Sequence, residues 1–369
     1  MNRRETHDRA GVKGAVMVLP DAAAWRPIAP AVVEIPHMLN GVAAASPEEI
    51  WVAGHAAQQP LLARWDGTAW AVPPGPAADA ALLGAGFQGI SRSSEGAIAV
   101  GGGFDRLAGT EVPLVQHWNG SSWASWTAPD AARDYVLTDV AMFGAEAWAV
   151  GHGFSWGPAG AAASAVSGAG TAGTAASAGS ATRPAGPVAI HWDGKAWHPE
   201  TTPPIARGKL LAVSGTSPTD VWAVGAADRA GLIMHYDGAS WAQVPSPSTR
   251  FPLTGVAAIA ADDAWAVGRD RVLRWNGRKW SRVKAPITAA NTITALAPDD
   301  IWVAGGRGEL AHFDGRRWSV TASPHPMGDT AVWLASASLP GSVWMVGSHQ
   351  ATSATGPVES SITARSTEN

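Results

Sequence analysis

The sequence contains no cysteine, only two tyrosines and six phenylalanines, and only 15% charged residues. The absence of cysteine excludes disulfide bonds, thiol catalysis and cysteine-ligated zinc. No apolar run approaches the roughly 18 residues that a membrane helix needs, so we expect no membrane span. The net charge is −4, with 26 basic and 30 acidic residues, and we expect no segment that concentrates Lys and Arg and therefore no nucleic-acid partner. A hydrophobic content of 46% is enough for a large core.

Tryptophan is the exception among the aromatic residues, with 20 copies in 369 residues. Most of them belong to a phrase that recurs along the chain. Its first half reads Trp-Ala-Val-Gly after an apolar segment and a turn, and its second half reads His-Trp-Asp-Gly-x-x-Trp. The first half occurs at 50–54, 147–151, 221–225, 264–268, 301–305 and 343–347, and at 97–101 with Ile98 in place of tryptophan. The second half occurs at 64–70, 117–123, 191–197, 235–241, 274–280 and 312–318.

This phrase predicts four short strands in each repeat. Six Asp-Gly or Asn-Gly dipeptides lie at the same place in successive repeats and favour hairpin turns. No segment shows a sustained helical period. The repeat length of about 49 residues is that of a four-stranded propeller blade. We therefore predict an all-β fold, a seven-bladed β-propeller of four-stranded antiparallel blades.

The two ends of the chain divide one repeat between them. The seventh first half lacks a second half, whereas residues 21–25 keep the Asp-to-Trp spacing ahead of the first complete repeat. We expect residues 25–28 to add the fourth strand to a blade built from about residues 332–363, which closes the ring. The predicted organisation is a flexible N-terminus at 1–14, one propeller at 15–365, a disordered Gly/Ala/Ser insertion at 157–187 in a loop of the third blade, and a tail at 366–369.

The repeated phrases resemble the Trp-rich repeat of bacterial β-propeller proteins over about residues 20–350. The resemblance implies the architecture, and it implies an extracytoplasmic location because many members of this family are exported. It implies no particular ligand. A more distant similarity is to the Asp-box of sialidase propellers, but the spacing here is one residue shorter and the serine is absent.

Residues that recur in every repeat are interpreted as packing elements. Seventeen of the 20 tryptophans belong to this class, the exceptions being Trp126, Trp156 and Trp333. Four histidines share one outer-strand position and point away from one another around the ring, so we predict no metal site: His117, His191, His235 and His312. The Gly-x-Gly-x-x-Gly pattern at 168–173 lies inside the insertion rather than between a strand and a helix, so no dinucleotide or other cofactor is predicted.

The segments that vary between repeats join the second strand to the third and the fourth strand to the next blade. All of them open at one end of a propeller, which we call the loop face, and variable loops on a rigid scaffold usually carry function. Arginine predominates there and is suited to bidentate binding of carboxylates and phosphates. The predicted ligand-binding residues are His55, Asp105, Arg106, Arg133, Asp134, Tyr135, His152, Trp156, Arg207, Asp228, Arg229, Arg250, Arg269, Asp270, Arg307 and His349.

These observations favour a non-catalytic, monomeric binding or scaffold module that recognises a protein, a peptide or a small acidic ligand. Two alternatives stay open: a hydrolase or lyase that uses loop-face arginines and carboxylates, and a lectin in which tryptophans stack on sugars. The apolar run at 15–19 is too short for an export signal, which favours the cytoplasm, whereas the family resemblance favours export.

Overall fold

The computed structural model describes residues 25–28, 37–75, 82–127, 134–153, 186–321, 331–353 and 356–366. These residues form seven four-stranded antiparallel sheets arranged in a ring, which confirms the predicted all-β, seven-bladed propeller. In each blade the strands lie side by side in the order A, B, C, D from the centre outward. The predicted insertion at 157–187 and N-terminus at 1–14 lie outside the described residues, except that Gly186 and Pro187 are described and Pro187 begins a strand.

Each blade consists of strands A, B, C and D, named below in that order. Blade 1 contains His37–Ser46, Glu49–Ala56, Gln59–Trp65 and Trp70–Ala71; blade 2 contains Leu82–Ser93, Gly96–Asp105, Thr110–Trp118 and Trp123–Ser125; blade 3 contains Tyr135–Phe143, Glu146–Gly153, Pro187–Trp192 and Trp197–Pro199. Blade 4 contains Gly208–Ser217, Asp220–Ala227, Ala230–Tyr236 and Trp241–Gln243; blade 5 contains Leu253–Ala260, Asp263–Gly268, Arg271–Trp275 and Trp280–Val283; blade 6 contains Ala290–Ala297, Asp300–Gly305, Leu310–Phe313 and Trp318–Thr321; blade 7 contains Ala331–Leu339, Ser342–Ser353, Gly356–Arg365 and Arg26–Ile28.

The Asp-Gly and Asn-Gly dipeptides form the C–D turns, as predicted. Each is a four-residue turn in which the Asp or Asn side chain accepts two backbone N–H groups; in blade 1, Asp66 Oδ1 accepts those of Thr68 and Ala69, both at 2.8 Å. The following glycine has a positive φ in all six turns, 98° at Gly67 for example. The Asp or Asn side chain is therefore needed as a cap, and glycine is needed because other residues are strained in this conformation.

The glycine of Trp-Ala-Val-Gly is explained by a bulge that the sequence pattern did not predict. In every blade the A–B register shifts by one residue in strand A, at Thr138 in blade 3 for example. Next to the bulge a strand A carbonyl lies close to strand B, so that a methyl group at Gly151 would overlap the carbonyl of Val136. Three bulged side chains also bond the next blade, including Thr138, whose Oγ1 donates to the Leu210 carbonyl at 2.8 Å.

Burial is divided among seven hydrophobic clusters, each shared by two successive blades, including one that joins blade 7 to blade 1. The strand B tryptophan of one blade packs on the aromatic residues that begin strand D and end strand C of the next. Trp222 of blade 4 is 1% exposed and lies 5.1 Å from both Trp275 and Trp280 of blade 5. The repeated tryptophans therefore hold neighbouring blades together, as the sequence predicted.

The repeated histidines take part in the same packing. In blade 4, His235 stacks on Trp222 at 4.2 Å, and its Nε2 lies 2.7 Å from a carboxylate oxygen of Asp220 at the start of strand B. Blade 5 replaces the histidine with Arg274, which forms a bidentate pair with Asp263 and lies over the Trp265 ring. The acid that begins strand B thus pairs with the basic side chain of strand C in both blades.

Blade 2 departs from the pattern because Ile98 stands where the strand B tryptophan belongs. The missing ring is supplied by Trp126, which follows strand D of the same blade. Trp126 stacks on His117 at 4.2 Å and on Trp192 of blade 3 at 4.0 Å, and it meets Trp197 edge-on at 6.4 Å. These are the contacts that the strand B tryptophan makes in blades 3 and 4, so Trp126 is a packing residue.

Residues 26–28 form strand D of blade 7. Arg26, Pro27 and Ile28 pair with Arg365, Ala364 and Thr363, and the Thr363 hydroxyl donates to the Ile28 carbonyl at 3.0 Å. The ring of Trp25 lies 5.4 Å from that of Trp302 in blade 6, in the position that a strand D tryptophan holds in other blades. The N-terminal strand thus belongs to the blade built by the C-terminal segment.

Candidate functional site

The loop face carries the B–C turns and the D–A connections, as the strand order requires. In blade 2, strands B and C extend into a hairpin that ends in the turn 106–109. The Asp105 carboxylate accepts the N–H groups of Leu107 at 2.8 Å and Ala108 at 3.0 Å, so this acid stabilises the turn. Arg106 is exposed beside it, and Leu107 is 92% exposed.

Blade 3 contains predicted site residues that the structure separates. Tyr135 is 6% exposed and packs in the core between blades 2 and 3, whereas Asp134 is exposed at a positive φ of 69°. The N–H of Asp134 donates to the carbonyl of Glu111, and burial and the Asp134 charge raise the pKa of Glu111. Arg133 and Trp156 lie outside the described residues.

The predicted histidines whose side chains the structure describes are less exposed to solvent than the arginines of the loops. His152 is buried at the end of strand B in blade 3, and its pKa is lowered to about 4, mainly by burial and then by the charge of Lys209. His55 holds the equivalent position in blade 1 and is half-buried, with its Cβ near Gly86 of blade 2. His349 lies in strand B of blade 7, and its side chain is outside the described part of the structure.

The arginines of blades 4 and 6 are exposed. Arg207 and Asp228 form a loose pair at 3.8 Å in which both side chains are mostly exposed, and Arg229 follows in the same exposed turn. Arg307 of blade 6 is exposed at a positive φ of 60°. Its neighbour Glu309 accepts the N–H and hydroxyl of Thr288, at 2.7 and 2.6 Å, so this carboxylate is occupied within the protein.

Blade 5 gathers the largest group of loop-face cations that the structure describes. Arg269 lies 5.0 Å over the ring of Phe251, which is 38% exposed, and Arg250 is exposed next to it in sequence. The Asp270 carboxylate is 2.9 Å from the Arg271 guanidinium. We call the following set the blade 5 rim: Arg250, Phe251, Arg269, Asp270, Arg271, Arg282 and Lys284.

Part of this set was missed by the reasoning from sequence. Residues 271–284 contain six cations and no acid, and they form strands C and D of blade 5 with the turn between them. Arg282 and Lys284 lie at the loop-face end, where Arg282 Nη2 donates to the Ser248 carbonyl at 2.6 Å. Arg278 and Lys279 lie in the C–D turn at the opposite end of the blade. The charge of the run was the available signal: the expectation that no segment concentrates Lys and Arg was wrong, and the predicted site residues came only from the loops.

A polar axial channel of about 340 Å³ is lined by the bulged parts of the A strands. Asp139 occupies a position held by Gly, Ala or Thr in the other blades, and its carboxylate accepts the N–H groups of Val140 and, across the blade boundary, Val213, both at 2.9 Å. The side chain keeps some exposure to the channel, yet desolvation raises its pKa to about 7, against the effect of the two N–H bonds.

Asp139 and His152 are expected to give opposite pH dependences of stability. Because the pKa of Asp139 is raised on folding, its contribution to stability is lost as the pH rises from about 4 to about 7. The pKa of His152 is lowered, so its contribution is lost as the pH falls from about 6.5 to about 4.

Urea unfolding of the wild type, D139N and H152Q at about pH 5 and about pH 8 tests these signs. The free energy of unfolding of D139N minus that of the wild type should be larger at about pH 8 than at about pH 5. The same difference for H152Q should be larger at about pH 5 than at about pH 8. A D139N difference that is the same at both pH values would contradict the raised pKa of Asp139.

Neither a metal centre nor a membrane helix is visible in the part of the chain that the structure describes. No group of three or more His, Asp or Glu side chains there is arranged to hold a metal ion. No helix there is long and apolar enough to cross a membrane.

Comparisons with known proteins show the fold alone. No protein-family model and no curated protein matches the sequence. A structure of YCF48 bound to D1 peptide is similar with a TM-score of 0.61 at 13% identity, covering 95% of this chain and 99% of that one. A streptogramin B lyase is similar with a TM-score of 0.62 at 11% identity, covering 94% and 100%. The WD40 propeller domain of Doa1 gives 0.59 at 8% identity, covering 94% and 99%. One architecture thus includes proteins of different functions, so function has to be argued from the site.

Proposed function

We propose that this protein is a non-catalytic binding module that holds an acidic partner, namely a protein, a peptide or a small ligand, on its loop face. The proposal includes membership of the Trp-rich bacterial propellers that the repeat resembles. The comparisons are consistent with a binding module of unspecified ligand, since one similar propeller is described as bound to a peptide and another is a WD40 domain.

The observation that carries the proposal is a difference between three acids and four arginines of this face; two further acids there, Asp134 and Asp228, are exposed. Asp105 caps a turn, Asp270 pairs with Arg271 and Glu309 holds Thr288, so these carboxylates are engaged within the protein. Arginines of four B–C turns are exposed instead: Arg106, Arg229, Arg269 and Arg307. Exposed guanidinium groups on a rigid ring favour carboxylate or phosphate ligands.

The lectin alternative loses support from the structure. It requires exposed indole rings, and each tryptophan in the described ranges is buried or half-buried. The enzyme alternative has equal support from the fold, since a streptogramin B lyase is as similar as the peptide-bound propeller. It is less favoured because three of the loop-face carboxylates that it would use are engaged within the protein: Asp105, Asp270 and Glu309.

The test is a selection of displayed random peptides on the immobilised full chain, followed by charge reversal. The loop-face variant replaces Arg106, Arg229, Arg269 and Arg307 with Glu. The matched control replaces four exposed cations of the opposite C–D turns with Glu: Arg278, Lys279, Arg316 and Arg317.

We expect the selected peptides to be acidic and to bind the loop-face variant about a hundredfold more weakly, with little change for the control, since each lost charge-assisted bond contributes about 1.5–3 kcal/mol. Selection of neutral or basic peptides, or equal losses in the two variants, would overturn the proposal.

A further inference from the structure

The blade 5 rim borders a cleft of about 400 Å³ that the interpretation of the sequence did not anticipate. Its walls come from the start of strand C, the end of strand D and the connection to blade 6. A volume of this size lies within the range of small-ligand pockets and admits one or two side chains of a partner. The cleft is thus large enough to bind a short segment of another chain.

The chemistry of the cleft has two parts. Its apolar part is lined by Val272, Val283, Ala285 and Ile287. These residues belong to the hydrophobic cluster packed between blades 5 and 6, which holds them in place. Arg271, Arg282 and Lys284 line the charged part, where Asp270 is the only acid among the described lining residues. An apolar surface bordered by cations suits a ligand that is both apolar and acidic.

Two of the cations are held in place. Arg271 Nη1 lies 2.9 Å from the Asp270 carboxylate and donates to the Asp270 carbonyl at 2.6 Å. Arg282 donates to the Ser248 carbonyl at 2.6 Å, which ties the segment with Arg250 and the partly exposed Phe251 to this side of the cleft. Preorganised cations lose less conformational entropy on binding than free ones.

We propose that this cleft binds a short acidic peptide segment through an apolar anchor side chain, with flanking carboxylates held by Arg282 and Lys284. The inference rests on the proposed function and specifies its site and ligand class. A nucleic acid is the less favoured ligand, because the whole chain has a net charge of −4 and the cleft has an apolar lining rather than an aromatic platform.

The experiment uses the full chain and fluorescein-labelled synthetic peptides, one alternating glutamate with leucine and one of glutamate alone. Anisotropy is measured for the wild type, R282E/K284E and the matched control R278E/K279E. The control makes the same change of charge within residues 271–284. Arg278 and Lys279 form the C–D turn through their backbone N–H groups, and their side chains are exposed, so the substitutions leave the turn intact. Circular dichroism melting confirms that both variants are folded.

We expect the leucine-containing peptide to bind about tenfold more tightly than the glutamate peptide, which corresponds to about 1.4 kcal/mol for the apolar anchor. R282E/K284E should lose about a hundredfold in affinity, and R278E/K279E should stay within about threefold of the wild type.

Equal losses in the two variants, or no preference for leucine, would show general electrostatic attraction and would overturn the cleft as the site. Tighter binding of a labelled thymidine oligonucleotide with the same dependence on Arg282 and Lys284 would overturn the peptide in favour of nucleic acid. If acidic peptides selected on the loop face respond to Arg106 and Arg229 but not to the cleft variant, the cleft is wrong and the proposed function stands.

Discussion

Deletion of residues 1–28 is expected to lower the free energy of unfolding by about 4 kcal/mol or more, because a half-buried tryptophan and a whole strand are lost together. The deletion removes the strand paired with Thr363–Arg365 and the ring of Trp25 that lies 5.4 Å from Trp302. The last blade would then present an unpaired strand edge, and the cluster between blades 6 and 7 would lose one of its aromatic rings.

Urea unfolding followed by tryptophan fluorescence measures this loss. Deletion of residues 1–20 is the control, since it retains Trp25 and the strand, and it should leave the midpoint unchanged. W25A separates the ring from the strand and should show about half of the loss, as expected for a half-buried tryptophan. If the 1–28 deletion unfolds at the wild-type urea concentration, the N-terminal strand does not support the ring.

The substitutions I98W and W126A are expected to change the free energy of unfolding in a strongly non-additive way. W126A should cost about 3 kcal/mol, because it removes the ring between His117 and Trp192. I98W should also destabilise the protein, by about 1–3 kcal/mol, because a second ring enters a space that Trp126 fills. The double variant I98W/W126A restores the arrangement of the other blades and should be more stable than the sum of the single changes by about 2 kcal/mol.

Unfolding of the wild type and the three variants under one condition forms a double-mutant cycle. W222A is the reference for a complete strand B tryptophan, which is 1% exposed, and should cost about 3–5 kcal/mol. Additive effects of I98W and W126A would mean that Trp126 does not occupy the place of the missing ring.

Among the residues assigned to the loop face, the described arginines are exposed, whereas two of the rings are buried. Arg106, Arg229, Arg250 and Arg307 are exposed there, whereas Tyr135 and His152 are buried. Tyr135 begins strand A and packs in the cluster shared with blade 2, and His152 is buried near the end of strand B. Long charged side chains reach solvent from almost any loop position, while the burial of a ring depends on the adjacent blade.

The cations of residues 271–284 in blade 5 also show what the sequence leaves undetermined. The run 271–284 and its hairpin turn were visible in the sequence, but the contacts that its loop-face end makes with Ser248 and the cleft were not. Arg278 and Lys279 lie at one end and Arg282 and Lys284 at the other; Arg282 bonds the Ser248 carbonyl, and Arg282 and Lys284 both line the cleft. Their separation follows from the antiparallel reversal at the Asn276 turn and the length of strand D.

The sequence by itself determined the architecture, because the repeats share one pattern of strands, turns and tryptophans that face the next blade. Such local signals do not depend on distant residues. Only the tertiary structure decided why Gly151 must be glycine, how Trp126 replaces a ring missing at position 98, and which cations meet at one cleft. The physical reason is that these relations join residues of different strands or blades. Their distances are set by the bulged A strands and the packing between blades, which no single repeat encodes.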